Sequence, residues 1–119
     1  MIRLKDILIE QSEIALPKVS ALGSGKLKIQ DPETNKVYIF QLQVDTGLLW
    51  TDIIVTGVNI DNDDLNNSTI SYKHPVTGSS ESSDLSKGSI LTISKRYKTN
   101  KEIHITTKKG IELRLMKMN

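Results

Sequence analysis

The sequence predicts a mainly β protein: an antiparallel sandwich or partly open small barrel of six to seven strands, with an N-terminal amphipathic helix. Three observations predict it. Apolar and polar residues alternate over much of residues 26–118, which is the period of a half-buried strand. Turn-forming clusters punctuate these runs: Asp31-Pro32-Glu33-Thr34-Asn35-Lys36, Asp45-Thr46-Gly47 and Lys108-Lys109-Gly110. The start of the chain keeps a different period, with Leu4, Ile7, Leu8 and Ile14 at three- and four-residue steps.

Taken in order, residues 1–16 read as a helical docking arm, which Pro17 ends near residue 15 or 16. An isolated helix this short is marginal in water, so its apolar stripe must pack on something. Residues 17–25, with Ala21-Leu22-Gly23-Ser24-Gly25, read as a flexible joint, and residues 26–119 as the β domain. Within that domain, residues 26–44 read as a hairpin around the Asp31–Lys36 turn. Tyr38, Phe40, Leu42 and Val44 share one face of its second strand. Leu48 to Ile60 is β-branched and long, with a break or bulge expected near Asp52 or Gly57. Asp61–Ser68 reads as a polar connector, Thr69–Tyr72 as a short strand and His74–Gly88 as an exposed loop. Ser89–Tyr97 reads as a further strand. Glu102–Thr106 and Ile111–Met118 form the closing pair, with Ile111, Leu113 and Leu115 on one face. No internal repeat is present.

Composition limits the chemistry. At 119 residues the chain is expected to form one domain, or one domain with a small appendage, and with aromatics at 4% its core must be mostly aliphatic. The absence of cysteine excludes thiolate metal sites, disulfides and cysteine nucleophiles. No eighteen-residue apolar run spans a membrane and no secretory leader is legible, so a virion or otherwise cytoplasmic location is expected. Neither a cofactor nor a catalytic signature is found, which points to binding rather than catalysis.

The candidate constellations are few. The acidic run Asn59–Asn67 fails the helix–loop–helix calcium pattern, because Leu65 and Tyr72 stand where oxygen ligands are required. Gly23-Ser24-Gly25-Lys26 lacks the spacer and flanking elements of a phosphate loop. His74 and His104 read as surface histidines, and Asp45 and Asp52 as a chance carboxylate pair. Charge is more informative. Residues 86–119 hold nine Lys/Arg against two Glu, a net +7, which leaves −5 for the remainder of a chain of net +2. Such a bipolar molecule can dock the basic end of one copy on the acidic end of the next.

The opening Met1-Ile2-Arg3-Leu4-Lys5-Asp6-Ile7-Leu8-Ile9-Glu10 resembles the first residues of small proteins of tailed bacteriophages. The Thr/Ser/Asn-rich, cysteine-free remainder is similar in style to virion accessory proteins, among them capsid decoration, connector and tail-associated proteins. The resemblance implies a non-enzymatic structural protein that binds the subunits of a larger assembly, whether other proteins or copies of itself. The expected partner-binding residues are Leu4, Ile7, Leu8 and Ile14 on the arm, and Lys95, Arg96, Lys98, Lys108, Lys109 and Arg114 in the basic third. The runner-up is a nucleic-acid-binding β-barrel that uses those same basic residues. A third reading is a small carbohydrate- or calcium-dependent recognition module.

Overall fold

The computed structural model describes residues 16–74 and 76–119. Nine strands run in chain order: β1 (Lys18–Ala21), β2 (Leu27–Gln30), β3 (Val37–Asp45), β4 (Trp50–Asp52), β5 (Ile54–Asn59), β6 (Ser68–Lys73), β7 (Ser80–Leu85), β8 (Glu102–Thr106) and β9 (Glu112–Lys117). A 3₁₀ turn at Leu65–Asn67 precedes β6, and an α-helix, α1 (Lys87–Arg96), lies between β7 and β8. The protein is mainly β and every strand pair is antiparallel.

Two sheets form. The first has the order β1-β2-β3-β9-β8, with β4 added beside the far half of β3; the second has the order β5-β6-β7. The alternation in the sequence decides which faces are buried. Phe40, Leu42 and Val44 of β3 point to the core together with Leu113 and Leu115 of β9, while Gln41 and Gln43 point the other way. Ile53, which is buried, separates β4 from β5, so one length of chain passes from the first sheet to the second there. Its N–H donates to Leu42 O at 2.9 Å, and its carbonyl accepts from Gln41 Nε2 at 3.1 Å. The sheets are tied again by Val55 N–H on Gly25 O at 2.8 Å and Lys108 N–H on Asp84 O at 3.0 Å. Gly25 has φ +90°, and a Cβ there would stand 2.7 Å from Ile54 Cγ2, so the β1–β2 turn can approach β5 this closely only with glycine. Where a break or bulge is expected near Asp52 or Gly57, the strand breaks at Ile53 and its register shifts between Val55 and Gly57. Asn35, at φ 63°, takes the left-handed conformation in the Asp31–Lys36 turn.

The structure corrects four readings of the sequence. Ser89–Tyr97 is not a strand; α1 spans most of it. The Ile90-Leu91-Thr92-Ile93 run favours strand by propensity, but Ile90, Ile93 and Tyr97 recur at helical steps and are the buried residues of that face. Ser86 starts the helix as N-cap, its Oγ accepting from Ser89 N–H at 3.2 Å. The stretch 74–88 is not all loop, because Ser80–Leu85 is β7. It is an edge strand with Ser83 and Leu85 as its buried residues, which leaves little apolar pattern to read. Residues 17–25 are not a joint: Lys18–Ala21 pair with β2, and Leu22 N–H on Lys26 O closes a turn at 2.9 Å. Nine strands among the described residues replace the six or seven expected. The helix expected over residues 1–16 falls almost wholly outside the described residues. Among the described residues, no helix is long and apolar enough to cross a membrane.

Candidate functional site

The face of the first sheet that points away from the core carries an ordered row of side chains. Strand register sets Asp52 of β4 opposite Gln43 of β3, Gln43 opposite Arg114 of β9, and Arg114 opposite His104 of β8. Directly opposed residues on one face are close enough to bond; the first two pairs do, and Arg114 and His104 meet instead through Glu102. Gln43 Nε2 donates to Asp52 Oδ1 at 2.7 Å. Arg114 Nε and Nη2 both donate to Gln43 Oε1, at 2.9 and 2.6 Å. Arg114 Nη1 lies 3.7 Å from Glu102 Oε1, and His104 Nε2 lies 2.7 Å from Glu102 Oε2. The hydrogen bond from His104, with the Arg114 and His104 charges, holds the Glu102 carboxyl below its usual value against partial desolvation.

This row fixes Trp50. The Arg114 guanidinium lies 4.6 Å from the indole centroid, a cation–π distance, and the His104 ring meets the indole edge-on at 5.5 Å and 90°. Immediately before Trp50 the β3–β4 loop displays Leu48 at 95% exposure and Leu49 at 61%. The loop is pinned. Thr46 N–H and Oγ1 both donate to Leu49 O, at 3.1 and 2.9 Å, and Gly47 N–H donates to Asp45 Oδ1 at 2.8 Å. Gly47, at φ +96°, permits the reversal. The result is an apolar ridge of Leu48, Leu49 and Trp50 on a hydrogen-bonded support, with Asp45, Asp52, Arg114 and Glu102 around it. Of these, Trp50 and Arg114 are the residue types enriched in protein-binding hot spots.

The residues expected from the sequence do not gather in one place. Leu4, Ile7, Leu8 and Ile14 lie outside the described residues. Lys95 and Arg96 are exposed in the last turn of α1, where they complement the helix dipole. Lys98 is paired with the buried Asp31 at 3.2 Å. Lys108 and Lys109 lie in the β8–β9 turn, at the other end of β8, and Lys108 Nζ donates to Asn66 O. Arg114 belongs to the Trp50 network. Asp61 is similarly engaged, since its Oδ1 accepts from the N–H groups of Asp63 and Asp64 and folds the acidic run into a turn. Asp45 and Asp52 accept from Gly47 and Gln43. His104 stands on the exposed face, as its alternation with Ile103 and Ile105 predicts.

Leu48, Leu49, Trp50, Gln43 and Glu102 were not legible as a site. The available signal was a Leu-Leu-Trp run set directly on a turn, where apolar residues have no core to enter. Compared with protein-family models, curated proteins and solved structures, the chain matches none of them.

Proposed function

We propose that this chain is a non-enzymatic interaction protein that joins neighbouring subunits of a larger assembly, other copies of itself among them, as its resemblance to virion accessory proteins implies. In this reading the two linked sheets act as one partly open barrel, a stiff carrier for the Leu48–Trp50 ridge. The observation that carries the proposal is the exposure of two leucines on a loop held by three hydrogen bonds. The bonds tie the loop's own backbone together and leave both leucines facing water. Burying a leucine fully stabilises by about 1.5–3 kcal/mol, so a socket that covers both supplies much of a working affinity. Asp45 and Asp52 beside the ridge favour a socket with a basic rim. The exposed Lys95, Arg96 and Lys101 of a second copy provide such a rim, which makes the contact head-to-tail.

Light scattering at low and high salt tests this. The wild type is expected to form a discrete oligomer that loses mass as salt screens the rim charges. Leu48→Asp, at a position that touches no core, is expected to be monomeric with an unchanged β-sheet circular dichroism signal. A wild type that is monomeric in both salts, or a Leu48→Asp oligomer equal to wild type, overturns assembly through the ridge.

A further inference from the structure

β3 is nine residues long, so its two ends lie roughly 27 Å apart. The ridge follows its last residue. At its first residues a different cluster forms, independent of the ridge. Tyr38 of β3 meets Tyr97, which follows α1, edge-on with centroids 5.3 Å apart. Two ammonium groups then lie against the same Tyr38 ring: Lys117 Nζ at 4.9 Å and Lys36 Nζ at 5.2 Å from its centroid. Lys117 is the last residue of β9. Its ammonium donates to Lys98 O at 3.1 Å and also lies 5.8 Å from the Phe40 centroid, so its position is fixed. The strand end is held in turn by Asn119, whose Oδ1 accepts from Ile39 N–H and whose Nδ2 donates to Val37 O.

The contrast with Lys98 is what matters. Lys98 has a carboxylate, Asp31, at 3.2 Å. Lys36 and Lys117 have none among the described residues, although they crowd one ring. Burial and the neighbouring Lys36 charge both push the Lys117 ammonium below the usual lysine value. Two cations that share one ring, that repel each other and that have no carboxylate partner among the described residues are relieved by an anion near both.

We propose that Lys36 and Lys117, held against Tyr38, form a binding site for a phosphate group. Lysine ammoniums provide point charges and several donors each, which suits a tetrahedral oxyanion. Tyr38 already contacts two ammoniums and Tyr97, which disfavours stacking of a nucleobase on it. The ligand is therefore recognised by its phosphate, whether that is a free phosphorylated compound or the backbone of a single strand.

The probe is inorganic pyrophosphate, titrated calorimetrically into the full chain at low salt. One saturable site is expected. Lys36→Gln, on an exposed turn, and Lys117→Gln are each expected to weaken binding about tenfold, the loss of one charge-assisted contact. Lys87→Gln, at the start of α1, is expected to leave it unchanged. An oligothymidine that binds, competes with pyrophosphate and is weakened by the same two variants assigns the phosphate to nucleic acid. Failure of the oligothymidine to bind assigns it to a small molecule. No saturable pyrophosphate binding, or binding that Lys36→Gln leaves intact, overturns the proposal. None of these outcomes depends on the oligomeric state that tests the ridge.

Discussion

Asp31 is nearly inaccessible to water, yet it carries a charge. Its Oδ1 accepts from Glu33 N–H at 3.1 Å, and its Oδ2 accepts from Thr34 Oγ1 at 2.9 Å and Lys98 Nζ at 3.2 Å. Its backbone closes the same turn through Asn35 N–H on Asp31 O and Asp31 N–H on Lys36 O. One side chain thus ties the β2–β3 turn to the segment that follows α1. The Glu33 N–H above all, then Thr34 and Lys98, hold the carboxyl below its usual value, and desolvation opposes them. A carboxyl with a folded-state pKa below its unfolded value stabilises the fold above the unfolded pKa, and that contribution is lost as pH falls through the folded pKa. The unfolded value is about 3.9, so the loss belongs below roughly pH 4–5. Asp31→Asn is therefore expected to lower the melting temperature at pH 7 and to leave a smaller further drop between pH 5 and pH 2. Thermal melts across that range check this; parallel wild-type and variant curves would show that Asp31 is not the group responsible. The same ion pair engages the Lys98 ammonium, one of the cations the sequence reads as partner-binding.

At the scale of elements, α1 depends on its first turn. Gly88 lowers its helix propensity, and no acidic residue stands in its first turn. The Ser86 Oγ cap on Ser89 N–H compensates, and Ser89 Oγ donates onward to Thr106 O at 3.1 Å, fastening the helix to β8. Ser86→Ala is expected to cost about 0.5–2 kcal/mol in chemical denaturation. A change within error would show that packing of Ile90, Ile93 and Tyr97 alone fixes the helix start. The same helix shows why part of the fold was hidden in the sequence. In β3 and β9 each residue's neighbours alternate cleanly between core and water, so period two could be read directly. In α1 the β-branched Ile90, Thr92 and Ile93 counted for strand, while the cap that decides for helix is a lone serine in a serine-rich stretch. β7 was hidden for the opposite reason: as an edge strand of Ser, Glu and Asp, it is defined by its backbone pairing with β6 rather than by its side chains.

At the scale of the whole molecule, charge was legible in sequence as an amount but not as a place. The basic third folds into α1, β8 and β9, whose cations fall at opposite ends of the sheet and, for Arg114, into a bonded row on its outer face. The row is set by the registers β4–β3–β9–β8, which bring together residues up to 71 positions apart in the chain. No local pattern encodes that. The start of the described chain is the remaining piece. Leu16 and Pro17, with Val19, Val58 and Ile60, line an apolar crevice that reaches Leu42, Leu115 and Ile93. Yet the strand pairings, both inter-sheet ties and the packing of α1 are all made by residues 16–119. A chain that begins at Leu16 is expected to keep its β-sheet circular dichroism and a cooperative melt. It is also expected to lose partner binding through Leu4, Ile7, Leu8 and Ile14, if those residues act as the docking arm their period predicts. Leu8→Asp in the full chain is expected to reproduce the binding loss with one substitution. Collapse of the β-sheet signal in the shortened chain would instead assign the arm to the core, as the cover of the crevice that Leu16 and Pro17 line.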